Sequence, residues 1–294
     1  MFKLIKFIIG LILFLVLAVI IFAVVIIVLN RGNKPKSKTT SPSYSLGELN
    51  TLTVNVDVKD SYVVVKKSKD GKVNFNYYAS QTRTFEETTE TDLLGNVTLS
   101  LKGYQTGKWY NRLFLTFKTT KVYGVTIEVP DDCNVNVKTN NGNIRFEEVY
   151  LSTATADTTN GAAIFKKSNA SICSLNTING NIEASSSNVG TFYCRARNGK
   201  VNLDNLVSLI DIDASTDDGN IILTNSYATG NFKLHSGKGD ITGSIRLLSD
   251  AYYKITTKAF NGTTNQQNTS AGIAELLVTT DNGNINLELK KVIA

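Results

Sequence analysis

The sequence has 294 residues, 42% hydrophobic and 19% charged, with 21 glycines, three cysteines and one histidine. This composition excludes a collagen-like chain, a disulfide-rich miniprotein and a wholly disordered chain, and it argues against a structural zinc site. The formal charge is +6, but residues 1–49 hold six Lys/Arg and one acid, against 25 and 24 in residues 50–294. Because the main domain is nearly neutral, we expect no nucleic-acid partner.

The first segment predicts a membrane anchor. Residues 1–6 form a short tail, and residues 7–29 carry no charge and are almost entirely Ile, Leu, Val, Phe and Ala. As a helix this stretch would rise roughly 34 Å, enough for a bilayer core of about 30 Å. A cleaved signal peptide, the alternative, has an apolar stretch of only about 7–15 residues followed by a small-residue cleavage site. We therefore predict one uncleaved transmembrane helix.

The charges around this span leave its orientation open to two readings. Two lysines precede it and four cations follow it, so the positive-inside rule favours a cytoplasmic C-terminal domain. A short tail before a long span is, however, the usual layout of a signal-anchor with an exported domain. We expect a single-pass protein with an extracellular C-terminal domain. Residues 30–47 contain two prolines and no apolar periodicity, which predicts a flexible linker.

Glycines at intervals of 19–23 residues divide the C-terminal half into similar units. The marker glycines are Gly142, Gly161, Gly180, Gly199, Gly219, Gly239, Gly262 and Gly283. The residue before them is usually Asn, and Asn-Gly favours turns that need positive φ. The spacing therefore predicts one tight turn per unit.

Apolar residues recur at fixed distances from the marker glycines. Positions seven and five before each glycine, and two and four after it, are mostly apolar, while the positions between them are mostly polar. Each unit thus indicates strand–turn–strand with one inward face. We predict an all-β fold, a β-solenoid of about eight coils of 19–23 residues over 130–290, with a hairpin array as the alternative. The unit of Gly262 matches the pattern least well.

Residues 48–129 are also rich in β-branched and aromatic stretches, but they lack the glycine period. Solenoid ends need covering, because an open edge strand templates aggregation. We expect this region to form an irregular β cap.

Three motifs carry a family resemblance. They are a leading strand, LTVNV (52–56), then VTIEVPDD (125–132), then repeated units such as TNNGNI (139–144), TINGNI (177–182) and TDNGNI (280–285). The layout resembles a bacterial family of candidate adhesins built from β-strand repeats, a domain of unknown function, over about residues 48–290. The resemblance implies a solenoid-like fold on envelope proteins, often membrane-anchored, some of them associated with envelope stress. It implies no enzymatic activity, ligand or cofactor.

Few residues suggest chemistry. His235 falls in an outward column and is interpreted as a surface residue, because a catalytic triad needs an orienting acid and a nucleophile beside the base. Cys133, Cys173 and Cys194 fall on the inward side and are expected to be free and buried. A disulfide between Cys173 and Cys194 is the alternative, but two positions of register would separate their Cα atoms by about 8 Å, beyond the usual limit.

An acidic run could suggest either calcium or a ladder of ion pairs. It comprises Asp211, Asp213, Asp217 and Asp218. Cations at Arg195, Arg197 and Lys233 on the neighbouring predicted coils favour a cross-strand ladder. We therefore predict no metal site.

An aromatic segment is the candidate partner-binding site. Tyr104, Trp109, Tyr110 and Arg112 lie close together in the chain, and aromatic residues flanked by cations can anchor a partner or stack on a sugar. The alternative is that these aromatic residues form the hydrophobic lid of the solenoid. The hypothesis is a non-catalytic, adhesin-like protein of the bacterial cell membrane that binds an envelope polymer or protein. A self-associating membrane-tethered scaffold is the alternative. A third, an enzyme acting on polysaccharide, would need clustered carboxylates on one face.

Overall fold

The structure is a computed structural model that describes residues 2–30, 36–80, 83–105, 124–247 and 252–291. A helix, α1, covers Phe2–Asn30. Its described side chains, at Phe7 and residues 9–25, are all exposed. Within the described ranges, no helix combines the length and the apolar character that crossing a membrane requires.

The other described residues fold almost entirely into strands. These are β1 (Lys36–Thr40), β2 (Leu52–Val58), β3 (Val63–Lys67), β4 (Asn74–Ala79), β5 (Arg83–Thr91), β6 (Val97–Gln105), β7 (Val125–Val129), β8 (Cys133–Asn141), β9 (Ile144–Glu147), β10 (Tyr150–Asn160), β11 (Ala163–Lys166), β12 (Asn169–Asn179), β13 (Ile182–Asn198), β14 (Val201–Ser208), β15 (Ile212–Asp218), β16 (Ile221–Ala228), β17 (Phe232–Lys238), β18 (Ile241–Leu247), β19 (Tyr253–Asn261), β20 (Ala274–Asn282) and β21 (Ile285–Lys291).

The strands wind into a solenoid whose coils have a long side A, a shorter side B and a short side C. In the coil of Gly180, β12 forms side A and the start of β13 forms side B. The chain then crosses side C and continues as side A of the next coil. Neighbouring coils pair in parallel with like positions in register, as Cys173 with Phe192 and Ile182 with Val201. The all-β repeat is thereby confirmed, and the hairpin-array alternative is wrong for these coils.

The coils do not stack in chain order. Along side A the order is β5, β6, β2, β8, β10, β12, β13, β15, β17, β20, β19. The coil of Gly283 therefore lies between those of Gly239 and Gly262, a swap that the glycine spacing does not reveal. The weak repeat match around Gly262 belongs to the outermost coil. At the other end, β2 and β3 already keep the coil register, pairing with β8 and β9.

The N-terminal end of the stack is closed by antiparallel strands. β5 pairs antiparallel with β6 on side A, and β4 pairs antiparallel with β7 on side B. β1 in turn pairs antiparallel with β4. Because β1 lies inside the segment predicted as a flexible linker, part of that segment is fixed to the solenoid.

The marker glycines serve a different purpose from the one the sequence predicts. Of the eight, all within the described coils, only Gly239 has positive φ, at 156°. A Cβ on Gly180 would lie 1.9 Å from the carbonyl oxygen of Gly161, and one on Gly199 would lie 1.8 Å from that of Gly180. The prediction of positive-φ turns is therefore wrong: glycine is needed because consecutive coils approach too closely for any side chain.

A second corner, between sides B and C, is the place where φ is positive. Its residues, six positions after the first five marker glycines, are Glu148, Lys167, Ser186, Asn205 and Asn225, with φ between 48° and 56°. Serine often follows and holds the corner: the Ser168 hydroxyl donates to Lys166 O at 2.8 Å, and Ser187 donates to Ser185 O at 2.8 Å. No glycine marks this corner, so the sequence pattern did not reveal it.

Candidate binding surface

The outward side of side A forms one long surface, which we call face A. Alternate residues of each strand point outward, and parallel pairing in register aligns them into columns across the coils. One column contains Asn136, Thr155, Ser174, Tyr193, Asp213, Lys233 and Leu277, and the next contains Lys138, Asp157, Asn176, Arg195, Ser215, His235 and Thr279. Face A is thus a ribbon of hydroxyl, amide and charged groups fixed on a rigid sheet.

The first depression on face A is the arginine groove, with a volume of about 480 Å³. Its charged lining comprises three cations, Lys138, Arg195 and Arg197, and one carboxylate, Asp157. Asn176 Nδ2 donates to Asp157 Oδ1 at 2.9 Å, which occupies part of that carboxylate. The groove therefore has a surplus of positive charge.

The second depression is the tyrosine groove, with a volume of about 320 Å³. Tyr193, whose side chain is 47% exposed, and Leu277 contribute apolar surface to its lining. Asp213 and Lys233 lie between them in the same column, and Glu275 lines the groove two residues before Leu277 on β20. This mixture of a flat ring and hydrogen-bonding groups suits a polar ligand with one apolar face.

The acidic run forms the charge ladder expected from the sequence. Asp217 lies 3.3 Å from Arg195 and 3.9 Å from Arg197, and Lys233 lies 3.7 Å from Asp213. Asp218 lies 3.7 Å from Lys238. Asp211 Oδ1 instead accepts hydrogen bonds from the backbone and side chain of Asn231, at 2.7 and 3.1 Å.

The described residues contain no group of three or more His, Cys, Asp or Glu side chains that could hold a metal ion. His235 lies on face A, where its Nδ1 is 2.9 Å from Thr279 Oγ1. Its hydrogen-bond partner is thus a hydroxyl, whereas a triad would orient the ring with a carboxylate.

All three cysteines are free and buried, as predicted. Cys173 pairs with Phe192 and Leu175 pairs with Cys194, so the two cysteines are two positions out of register. Burial raises the pKa of the Cys133 thiol to about 12 and raises the pKa of Cys173 and Cys194 as well. These thiols act as small core residues.

The predicted aromatic site is described only at its first residue. Tyr104 lies at the exposed end of β6 and donates a hydrogen bond to Glu86 Oε2 at 3.1 Å, and this bond raises the pKa of the phenol. Trp109, Tyr110 and Arg112 lie outside the described residues, so a partner-binding role for this segment stays a prediction.

Sequence reasoning assigned Arg195 and Arg197 only to a charge ladder and passed over Tyr193 as one polar position among others. The grooves could have been predicted by comparing the outward-facing residues of neighbouring coils. Reading those columns across coils places Lys138, Asp157, Asn176 and Arg195 side by side.

Several solved structures resemble the chain. A candidate adhesin from Bacteroides fragilis is 15% identical with a TM-score of 0.49, covering 87% of this chain and 97% of its own. A candidate cell adhesion protein from Clostridium sporogenes is 13% identical with a TM-score of 0.32, covering 87% and 100%. A candidate lipid binding protein from Parabacteroides distasonis is 13% identical with a TM-score of 0.28, covering 90% and 98%.

No curated protein matches the chain. The Toastrack DUF4097 family, in contrast, matches residues 51–288, which include every regular coil of the solenoid. The chain belongs to the Toastrack DUF4097 family.

Proposed function

We propose that this chain is a non-catalytic binding protein of a bacterial cell envelope, held in the cytoplasmic membrane by residues 7–29 and presenting face A outside the cell. The uncharged 23-residue stretch supports the anchor, since it is long enough for a bilayer core. The family resemblance supports the envelope location and a link to envelope stress. The ligand is an extended envelope polymer or protein that carries anionic groups.

The arginine groove is the observation that carries this proposal. Arg195 and Arg197 share one exposed carboxylate, Asp217, at 3.3 and 3.9 Å. Exposed ion pairs of this kind contribute little, so an incoming anion can compete for the guanidinium groups. A guanidinium group binds carboxylate or phosphate oxygens through two parallel N–H bonds, which gives both strength and orientation.

The test is binding of the full chain, solubilised in detergent, to isolated bacterial cell-wall material. Arg195→Gln combined with Arg197→Gln should weaken binding at least about tenfold, because two charge-assisted contacts are lost. The matched control is Lys66→Gln combined with Lys290→Gln, which removes the same charge from exposed ion pairs on side B. Binding that is absent, or that falls equally in both double variants, would contradict the proposal.

A further inference from the structure

Two loops at the N-terminal end of the solenoid carry a group of leucines that stay exposed among the residues that the structure describes. Leu46 and Leu49 precede β2, and Leu93 and Leu94 form the turn between β5 and β6. Leu93 is fully exposed, Leu49 is 98% exposed and Leu94 is 80% exposed. We call these four residues the leucine tip. Single exposed leucines are ordinary, but a group of them indicates an interaction site.

Hydrogen bonds hold the two loops together. Asn50 Nδ2 donates to Gly95 O at 2.9 Å, and the Thr51 backbone N–H donates to Asn96 Oδ1 at 2.9 Å. These contacts cross from one loop to the other, so the leucines of both loops belong to one structural unit.

Each loop is also fixed internally. Asp92 Oδ1 accepts hydrogen bonds from the backbone N–H groups of Leu94, at 2.8 Å, and Asn96, at 2.9 Å. Asn50 N donates to Gly47 O at 3.1 Å in the other loop. A tip held in this way presents its apolar side chains ready for a partner, with little ordering cost on binding.

The position of the tip points to its partner. Among the described strands, β5 and β6 are the outermost of side A at the N-terminal end, and β1 is the outermost of side B at the same end. Only residues 31–35 separate Asn30, the last residue of α1, from Lys36 at the start of β1. Five residues span at most about 18 Å, so a bilayer that holds α1 lies close to this end of the stack.

Charge favours the apolar layer of the bilayer over its headgroups. The charged neighbours of the leucines in sequence are Glu48 and Asp92, both acidic, which disfavours attraction to anionic lipid. The opposite end of the stack differs. There, Phe260 carries a cation, Lys258, whose Nζ lies 3.9 Å from the ring centroid, and Ile273 has no second exposed Leu, Ile or Val beside it in sequence.

We propose that the leucine tip inserts into the bilayer that anchors α1. This second contact stands the solenoid on its N-terminal end and directs the far coils away from the membrane. The inference rests on the proposed membrane anchor, and it deepens it by assigning the lipid surface as a partner of the folded domain itself.

The test places a fluorophore at the tip of the full chain. In Leu93→Cys, an environment-sensitive NBD label goes selectively to residue 93, because the three native thiols are buried. The matched control is Ile273→Cys, an 86% exposed position at the opposite end. Both labelled proteins are reconstituted into phosphatidylcholine nanodiscs with and without a spin-labelled quencher lipid. We expect a blue shift and at least twofold quenching at residue 93, and a water-like, unquenched signal at residue 273.

A further variant tests whether the leucine side chains themselves cause the insertion. Leu49→Asn combined with Leu94→Asn, added to labelled Leu93→Cys, should reduce the quenching while leaving the thermal unfolding curve unchanged. An unquenched label at 93 in a chain that stays with the nanodisc would overturn the inference and leave the anchor intact. Equal quenching at 93 and 273 would also overturn it. A chain that fails to remain with the nanodisc would overturn both the anchor and the inference.

Discussion

At the scale of single residues, three residue positions shape the corner at the marker glycines. Glycine allows the close approach of neighbouring coils, and at five of the eight corners a hydroxyl three positions earlier donates to the glycine carbonyl of the neighbouring coil. Thr177 Oγ1, for example, donates to Gly161 O at 2.9 Å. The preceding asparagines form a ladder, in which Asn198 Nδ2 donates to Asn179 Oδ1 at 2.8 Å. The recurrent Asn-Gly pair therefore reflects stacking between coils.

Replacing one stacked glycine should lower the free energy of unfolding more than replacing a glycine that only supplies a turn. In Gly180→Ala the new Cβ would lie 1.9 Å from Gly161 O, so the coils must separate, and we expect a loss of about 3 kcal/mol in the free energy of unfolding. Gly71→Ala is the control: its φ is 72° but nothing lies within 4 Å of the Cβ, and about 1–2 kcal/mol should be lost.

Denaturant unfolding of the two variants measures this difference directly. Equal losses would show that the glycine column serves local turns after all.

At the scale of elements, one loop caps both exposed strand edges at the C-terminal end. Along β19, Thr257 N donates to Asn268 Oδ1 at 2.7 Å and Ile255 N donates to Thr269 Oγ1 at 2.8 Å. Along β21, Leu287 N donates to Asn265 Oδ1 at 3.0 Å. Free backbone groups on an edge strand would recruit another chain, and these side chains occupy them. The polar residues that weaken the repeat near Gly262 are therefore the end cap.

Removing the cap should promote self-association. Asn265→Ala combined with Asn268→Ala frees backbone donors on β19 and β21, and we expect dimers or larger species in size-exclusion chromatography with light scattering. Gln267→Ala, an exposed position in the same loop, is the control and should behave like the unaltered chain. A double variant that elutes with the unaltered chain would show that the cap is not what prevents pairing. Association of the unaltered chain would instead support the scaffold alternative.

At the scale of the whole molecule, the chain reverses the order of its coils at both ends. The coil of β2 and β3 lies inside the later strands β6 and β7, and β20 lies inside the earlier strand β19. Each reversal leaves a loop or an antiparallel strand to cover the end. The middle coils then stack in chain order between two capped ends.

The side of the membrane on which the solenoid lies decides what it can bind. We expect an external protease to digest the domain in intact cells, as followed by antibody, because a long domain crosses largely regardless of flanking charge. Lysed cells provide the control for cleavability. Protection in intact cells with digestion after lysis would mean that the cations after the span keep the domain inside, and that the binding proposal is wrong.

The sequence by itself determined the repeat, because parallel coils in register require like residues at like positions. The inward columns, the buried cysteines and the acidic ladder all follow from that single rule. Part of the candidate site could also be predicted from the sequence, because the coil register alone places Arg195 and Arg197 beside Asp217. The shape of a groove, however, depends on side chains from several neighbouring coils, so the sequence of one repeat does not predict it.

Only the tertiary structure decided the order of the outer coils, the left-handed corner and the leucine tip. Coils with similar inward columns can pair with one another in more than one order, so local pattern does not fix which lies outermost. The corner at Lys167 and Ser186 has positive φ without a glycine to mark it, and the hydroxyl of the following serine holds it in place. The loops of Leu49 and Leu93 lie side by side only because β2 and β6 pair, although they are distant in the chain.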